Sequence, residues 1–391
     1  SSIFDEIVDR KNTDSLKWDC CKRRFGREDI LPMWVADMDF KSPSVITEAI
    51  IRRAEHGVFG YTEVSEELTA ALTGWMKKRH GWQIDDRWLV FSPSVVTSVN
   101  TAILAYTNPG DKVLLQTPIY YPFYSSIKDN ERQLVTNSLR NNNGYFEIDF
   151  EDLERKLADN VKIMIFCSPH NPIGRVWKIH ELKEVLRLCK KYNVILVSDE
   201  IHSDLVFSGH KHIPVSSLAE KDFDKCITLV SPTKTFNIAG LSVSAAIIPD
   251  TELRRKFRSF INKSGTGLLN IFGLEAAKAA YTNGEEWLEE LLVYLEGNLN
   301  VLEEYFKKNI PQIKVIRPEA TYLVWLDCKE LPVPAEKLKD FFVNQAGVGL
   351  NDGLIFGQEG YGFQRLNFAC PKALLSEGLE RIKNAVQKLN K

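Results

Sequence analysis

Short apolar runs alternate with longer amphipathic stretches through most of the chain, and this alternation constrains the fold most. Each run is apolar at nearly every position and predicts a strand buried on both faces. Stretches between several runs, such as 179–192, show the 3.6-residue apolar spacing of a helix. Strands separated by helices form a largely parallel sheet covered on both sides, which indicates the α/β class. The predicted strands are WLVF (88–91), KVLLQ (112–116), VKIMIFC (161–167), NVILVS (193–198), CITLV (226–230) and SVSAAII (242–248).

The pattern changes after about residue 284 and predicts a second, smaller domain. A long helix over 285–308 leads into TYLVWLD, a further helix, GFQRLNFA and a C-terminal helix from about Lys372. This mixture is typical of α+β domains. We therefore expect a large domain over 46–284 and a small domain over 285–391, which the N-terminal segment 1–45 joins.

Two helices near the start of the large domain have recognisable ends. The Ser42 hydroxyl is suited to cap a helix whose first residue is Pro43, because proline is favoured in that position. A second helix is predicted over 64–80. It should stop at Gly81, because glycine readily adopts the left-handed conformation that ends a helix.

The composition argues against several classes of function. The 391 residues carry 50 basic and 52 acidic side chains, a net charge of −2, so charge favours neither nucleic acid nor an anionic membrane as a partner. No secretory signal is visible and no stretch is apolar for long enough to span a bilayer. Seven scattered cysteines form no C-x-x-C pair, and His210 and His212 are predicted to lie in a solvated turn rather than bind a metal. We expect a cytoplasmic protein without a metal.

Residues with polar or ionisable side chains that suit catalysis or ligand binding come just after several predicted strands. Asn171 follows VKIMIFC, Asp199 follows NVILVS, and Lys234 follows CITLV within SPTK. The carboxyl ends of parallel strands meet at one edge of a sheet, where ligands bind. Ser94, after WLVF, precedes a helix whose N-terminus is suited to an anion. The sequence therefore predicts a site with a lysine, a carboxylate, an amide and an anion-binding helix start.

These motifs resemble the class I/II aminotransferase family of fold type I pyridoxal 5'-phosphate (PLP) enzymes. NPIG with Asn171, DEIH with Asp199, SPTK with Lys234 and FQRLNF with Arg365 occur in the family's order, over nearly the whole chain. The resemblance implies a large PLP-binding domain with a mostly parallel (mixed) seven-stranded sheet, and a smaller α+β domain. It implies that Lys234 forms the imine with PLP, that Asp199 pairs with the pyridine nitrogen, and that Arg365 clamps the substrate carboxylate.

The resemblance assigns further residues to the cofactor and the substrate. Asn171 and His202 would bond the ring oxygen, and Tyr120, in TPIYYPF, would stack on the ring as part of the catalytic set. Tyr61, in FGYT, would reach the phosphate in the neighbouring subunit of a homodimer. The implied phosphate-binding residues are Ser94, Val95, Val96, Ser231 and Thr233. The implied substrate-binding residues are Arg365, Val35 and Ala36, the last two in a lid segment over 34–37.

Within this family the chain most resembles cystathionine β-lyases of the MalY/PatB type, which are carbon–sulfur lyases. The strongest pointer is LPMWVADMDF (31–40), supported by PHNPIGRVW, SDEIHSDL and TKTFNIAGL. The resemblance implies β-elimination from L-cystathionine and related cysteine S-conjugates to a thiol, pyruvate and ammonia. His202 replaces a tyrosine and Ser242 a phosphate-binding arginine of typical aminotransferases, which fits the lyases, whereas Ser94 stands where the lyases usually have glycine.

Other functions and structural interpretations stay open. An aminotransferase would use the same residues, and the resemblance to some relatives of the lyases leaves open that this protein has an added regulatory role in which it binds a partner protein. Taken alone, Asp199 could be a helix cap, Asn171 a turn residue and His202 a structural histidine. Tyr61 and Tyr120 alone would be packing aromatics.

Overall fold

The computed structural model describes residues 1–391, and the chain divides into two compact units. The large unit comprises Ser42–His170 and Arg175–Leu288, and the small unit comprises Ser1–Lys41, Asn171–Gly174 and Glu289–Lys391. The domain boundaries expected near residues 45 and 284 stay a prediction about which parts fold independently. No helix combines the length and the apolar character that crossing a membrane requires.

A seven-stranded mixed sheet lies at the centre of the large unit, and the predicted α/β fold class is confirmed. The strands are β1 (Leu89–Ser92), β2 (Lys112–Thr117), β3 (Gln133–Ser138), β4 (Val161–Cys167), β5 (Ile195–Asp199), β6 (Cys226–Val230) and β7 (Ser244–Ile247). Their order across the sheet is β1-β7-β6-β5-β4-β2-β3. β7 is antiparallel to both of its neighbours, and the other neighbouring pairs are parallel.

Burial explains which strands the apolar runs predicted well. Every residue of β6 is buried, and Lys162 is the one exposed residue of β4, as expected for strands covered on both faces. β3 is the polar sequence QLVTNS at the edge of the sheet, and just one of its residues is fully buried. The apolar runs missed β3 because an edge strand with so little burial needs few apolar residues.

Helices flank this sheet, and their ends follow local capping chemistry. The longer ones are α1 (Ser44–His56), α2 (Glu66–His80), α3 (Val95–Tyr106), α4 (Pro122–Lys128), α5 (Phe150–Leu157), α6 (Ile179–Lys191), α7 (Thr251–Ser264) and α8 (Ile271–Asn283). α2 ends at Gly81 in the left-handed conformation, as predicted. The predicted start of α1 was wrong, because Pro43 is its cap residue and the Ser42 hydroxyl instead donates to the Asn237 carbonyl.

A four-stranded antiparallel sheet forms the centre of the small unit. Its strands are β8 (Lys314–Ile316), β9 (Leu323–Asp327), β10 (Asn351–Asp352) and β11 (Phe363–Asn367), in the order β8-β9-β11-β10. Its long helices are α9 (Glu285–Asn309), most of which lies in this unit, and α10 (Lys372–Leu389). The N-terminal segment belongs to the same unit, and its strand Leu31–Pro32 pairs in parallel with Val348–Gly349.

Candidate active site

Candidate residues of the large unit lie at the carboxyl edge of its sheet. β1 and β6 are both antiparallel to β7, so they run in the same direction as each other and as β2, β4 and β5. Asp199 is the last residue of β5, and Lys234 lies in the turn after β6. Tyr120 follows β2 and Ser94 follows β1. The sheet therefore brings a lysine, a carboxylate, an aromatic ring and a helix start to the same edge.

Asp199 is a buried carboxylate with few hydrogen bonds to hold its charge. Its side chain accepts a hydrogen bond of 3.1 Å from the Ile201 N–H, and the residue is 4% exposed. Burial raises the pKa of Asp199 to about 7, although the Ile201 bond and the charge of Lys234 oppose that rise. The neighbouring Glu200 adds to it. A cation bound next to this carboxylate would lower its pKa again, because an opposite charge nearby favours the ionised form.

The turn that carries Lys234 is fixed by hydroxyl groups at its start. The Ser231 hydroxyl donates to the Val243 carbonyl at 2.8 Å and accepts a bond of 3.1 Å from the Thr233 N–H. The Ser231 and Thr233 hydroxyl oxygens are 2.7 Å apart, and both residues are buried. Lys234 itself is half-buried. These hydrogen bonds preorganise the start of the turn that carries Lys234.

α3 presents its N-terminus at the same edge of the sheet. Ser94 is its cap residue, and the Ser94 hydroxyl accepts a hydrogen bond of 3.1 Å from the Thr97 N–H. Val95 is buried and Val96 is half-buried at the first two helical positions. The first N–H groups of a helix lack partners within the helix, and they bind anions well because the helix dipole is positive at this end.

Three other candidates of the large unit differ in their surroundings. The half-buried Tyr120 ring lies 5.3 Å from Tyr121 and 5.6 Å from Phe123, measured between ring centroids. His202 is buried just beyond β5. Tyr61 is fully exposed in the segment between α1 and α2. A fully exposed tyrosine excludes the interpretation of Tyr61 as a packing residue within its own chain.

Arg365 lies on β11 of the small unit and is held by three oxygen acceptors. Its guanidinium donates to Asn351 Oδ1 at 2.7 Å, to the Trp34 carbonyl at 3.0 Å and to Asn171 Oδ1 at 3.2 Å. The Arg365 guanidinium carbon lies 4.9 Å from the centre of the Phe356 ring. Arg365 is 1% exposed, and Phe356 is buried as well. These acceptors are neutral, so they orient the guanidinium without neutralising its charge.

The segment that contains Val35 and Ala36 is tied to the same strand. Asn367 Nδ2 donates to the carbonyls of Val35 and Asp37 at 2.8 and 2.7 Å. Sequence inspection assigned no role to Asn351 or Asn367. A signal existed for Asn367, because residues two apart in a strand share a face and Asn367 is two residues after Arg365.

A buried charge cluster fixes the far end of this segment. Asp39 accepts hydrogen bonds of 2.8 Å from Lys17 Nζ, Arg10 Nη1 and Trp18 Nε1. Arg10 also binds both carboxylate oxygens of Asp37, each at 2.8 Å. Burial acts to raise the pKa of Asp39, but Lys17, Trp18 and Arg10 together hold it below its ordinary value. The cluster therefore locks residues 37–39 in one conformation.

Removing one cation from this cluster should destabilise the protein strongly. Lys17→Met is expected to lower the free energy of unfolding by about 3 kcal/mol, because it leaves the Asp39 charge buried with fewer partners. Urea denaturation measures the change. Lys308→Met is the matched control, because Lys308 pairs with Glu304 on the exposed surface, and it should cost no more than about 0.5 kcal/mol. Equal losses in the two variants would contradict the prediction.

The structure corrects the prediction for His212. His210 is exposed, but His212 is buried, and its Nε2 lies 2.8 Å from Oε1 of the buried Glu200. Glu200 Oε2 also accepts bonds from the Ser198 hydroxyl and the Val215 N–H. The prediction of a solvated turn was wrong for His212, because its partner Glu200 lies twelve residues earlier in the chain, directly after β5.

Comparisons with known proteins identify the family. The family model described as aminotransferase class I and II matches residues 28–382. The chain belongs to this family. It is similar to the cystathionine β-lyase PatB of Bacillus subtilis, with 45% identity over 98% of this chain and 99% of the relative.

The chain is also similar to solved structures of proteins that contain PLP. Cystalysin from Treponema denticola, which contains a pyridoxal 5'-phosphate cofactor, superposes with a TM-score of 0.96 at 37% identity and covers 99% of each chain. A PLP-bound C–S lyase from Staphylococcus hominis superposes with a TM-score of 0.93 at 37% identity, over 99% of this chain and 98% of that one.

Proposed function

We propose that this protein is a PLP-dependent carbon–sulfur β-lyase that cleaves L-cystathionine and related cysteine S-conjugates to a thiol, pyruvate and ammonia. The observation that carries the proposal is the 45% identity, over 98% of the chain, to a protein named cystathionine β-lyase. The similarity to a C–S lyase structure supports it. The family alone would equally allow an aminotransferase.

The residues present fit the cofactor. Asp199 is a buried carboxylate whose pKa is raised to about 7, so a protonated pyridine nitrogen beside it would stabilise the ionised form. Lys234, in the preorganised turn after β6, supplies the amine that the cofactor aldehyde requires. The residues proposed to hold the ring oxygen and the ring face are Asn171, His202 and Tyr120. The residues proposed to hold the phosphate are Ser94, Val95, Val96, Ser231 and Thr233.

The chain's own groups then divide the work of β-elimination. When bound, PLP supplies an electron sink for the negative charge that develops at the substrate Cα. In its uncharged form, the Lys234 amine would accept the proton from that carbon as general base. The bond between Cβ and sulfur would break, the sulfur would leave as the thiolate, and water would convert the remaining three-carbon fragment to pyruvate and ammonia. The Asp199 carboxylate keeps the ring nitrogen protonated. Arg365 binds the substrate carboxylate through its planar fork of N–H donors, and the Val35–Ala36 backbone lines the substrate.

The test is pyruvate release without an acceptor. Purified protein supplied with PLP and L-cystathionine, and with no keto acid, should release pyruvate in amounts many times the amount of enzyme. An aminotransferase would stop after each cofactor had been aminated once. Pyruvate that stays at or below the amount of enzyme, while added keto acid is converted to an amino acid, would replace the lyase proposal with the aminotransferase.

Arg365→Lys should weaken substrate binding more than it slows chemistry. We expect KM for L-cystathionine to rise about 100-fold with a much smaller change in kcat, because lysine cannot donate two parallel hydrogen bonds to a carboxylate. Steady-state kinetics measure both constants. Arg317→Lys, at an exposed ion pair with Glu303, is the control and should leave KM unchanged. The role of Arg365 would be refuted by an unchanged KM.

We further propose a cytoplasmic homodimer in which Tyr61 reaches the phosphate site of the neighbouring subunit. Complete exposure of the Tyr61 ring in a single chain supports the dimer, because the ring makes no packing contact in its own subunit and is therefore available to a neighbouring one. Sedimentation equilibrium should give twice the chain mass, and a monomer with full lyase activity would contradict the role of Tyr61.

The cysteines support the cytoplasmic location. All seven are free thiols, which suits a reducing compartment.

A further inference from the structure

We propose that Asp204 is a positioning residue for Lys234 and acts through the hydroxyl of Thr235. The inference rests on the proposed function, because it concerns the placement of the amine that takes the substrate proton. Neither Asp204 nor Thr235 belongs to the residues that hold cofactor or substrate.

Asp204 connects two elements through its two carboxylate oxygens. Oδ1 accepts hydrogen bonds from Trp75 Nε1 at 3.0 Å and from His80 Nε2 at 2.8 Å, and both of these residues lie on α2. Oδ2 accepts the hydroxyl proton of Thr235 at 3.0 Å. All four residues are at least nine-tenths buried. Asp204 therefore bridges a long helix and the residue that directly follows Lys234.

Apolar packing of the next residue, Phe236, adds to this bridge. The Phe236 ring is fully buried and lies 5.7 Å from the Trp75 ring and 6.0 Å from the Trp287 ring. The Trp75 ring thus packs against the Phe236 ring, and the Trp75 indole N–H donates a hydrogen bond to Asp204. Together the contacts of Thr235 and Phe236 fix the backbone immediately after Lys234 against α2.

The carboxylate of Asp204 is ionised in spite of its burial. Burial acts to raise its pKa, but the His80 hydrogen bond and charge, together with Arg79 and Trp75, lower it below the ordinary value. An ionised carboxylate only accepts hydrogen bonds, so the Thr235 hydroxyl must point its proton towards Asp204. The direction of the Thr235 side chain is therefore determined, and the backbone between Thr235 and Lys234 is fixed with it.

Proton transfer makes this placement matter. A general base must lie within hydrogen-bond reach of the proton that it accepts, and small displacements of a reacting group reduce the rate steeply. If Thr235 loses its anchor, the Lys234 amine samples more positions. We expect kcat to fall while KM, which depends on Arg365, stays nearly constant.

The experiment compares two buried threonines in the holoenzyme. Thr235→Val removes the hydroxyl that binds Asp204 and keeps the shape of the side chain. Thr228→Val is the control, because the Thr228 hydroxyl is also buried and bonds to the Ser216 hydroxyl at 2.7 Å, away from Lys234. Thr235→Ser tests rescue because it restores the hydroxyl. If Thr235→Val does not fold, Thr235→Ala takes its place, since it adds no bulk.

Two readouts distinguish positioning from a purely structural role. We expect the visible absorbance of the cofactor bound to Lys234 to change with pH, and we expect Thr235→Val to move the midpoint of this change by about half a pH unit. We expect kcat to fall on the order of ten-fold with little change in KM. Thr235→Ser should restore both values, and Thr228→Val should lower only the melting temperature.

The outcomes separate this inference from the proposed function. Borohydride reduction of the wild-type holoenzyme should label Lys234, and no label there would refute the proposed function and the inference with it. If the wild type is labelled but Thr235→Val keeps the wild-type midpoint and kcat, the inference alone is overturned. It is also overturned if Thr228→Val shifts the midpoint as much as Thr235→Val does.

Discussion

Lys234→Ala is expected to abolish pyruvate release, with a loss of kcat of at least about 10⁴-fold. The substitution removes the amine that is proposed both to hold the cofactor covalently and to act as general base for the substrate Cα proton, and either role alone is worth orders of magnitude in rate. Pyruvate release from L-cystathionine over many hours measures the residual activity. The absorbance of the imine between the cofactor and Lys234 should be lost as well.

The control for this variant is another lysine of the large unit. Lys256 is exposed on α7, so Lys256→Ala should keep both the absorbance and the activity. Borohydride reduction followed by peptide mapping provides an independent measurement, because the label should be on Lys234 in the wild type and in Lys256→Ala. Multiple turnovers by Lys234→Ala would show that another group takes the proton, and the mechanism proposed for this chain would then be wrong.

Asp199→Asn is expected to reduce kcat about 10³-fold while the protein still binds the cofactor. Asparagine keeps the shape of the side chain but cannot carry the negative charge that is proposed to keep the ring nitrogen protonated, and the loss of one preorganised electrostatic partner commonly costs this much. Cofactor retention is measured by absorbance after gel filtration and kcat by pyruvate release. Undiminished turnover would remove Asp199 from the role of ring partner.

The same substitution should also change how the stability of the cofactor-free protein depends on pH. Folding raises the pKa of Asp199 to about 7, so the folded state binds this proton more tightly than the unfolded state. The contribution of Asp199 to stability is therefore greatest at low pH and is lost as pH rises from about 4 to about 7. Since one pKa unit corresponds to about 1.4 kcal/mol, the loss is roughly 4 kcal/mol.

Urea denaturation across this pH range tests the signature. The cofactor-free wild type should lose stability relative to cofactor-free Asp199→Asn as the pH rises from 4 to 7, because asparagine does not titrate. Bound cofactor should remove most of the difference, since a cation beside Asp199 favours its ionised form. Parallel stability curves for the two cofactor-free proteins would contradict the burial of an ionisable carboxylate at this position.

How well each strand could be predicted from the sequence depended on how deeply the strand is buried. Val161–Cys167 and Cys226–Val230 were predicted to the residue, because a strand covered on both faces must be apolar along its whole length. Gln133–Ser138 was missed, since an edge strand needs few apolar residues. The direction of Ser244–Ile247 was also hidden, because parallel and antiparallel strands of a buried sheet have the same composition.

The candidate site divides in a similar way. Asp199 and Lys234 were visible in the sequence because each follows an apolar run, and the topology of a parallel sheet brings such positions to one edge. Asn351, Asp204 and the partner of His212 gave no comparable signal, and for Asn367 the signal was its position two residues after Arg365 in a strand. The structural role of each depends on contacts with residues in other segments. The hydrogen bond between Asp204 and Trp75, for example, joins residues 129 positions apart.

The sequence by itself determined the class of fold, the family resemblance and the main chemical groups, because these depend on local periodicity and on short motifs. The tertiary structure alone decided how those groups are held: the acceptors around Arg365, the raised pKa of Asp199 and the bridge from α2 to the Lys234 turn. Burial and hydrogen bonding between distant segments are properties of the packed chain, so no local pattern of residues encodes them separately.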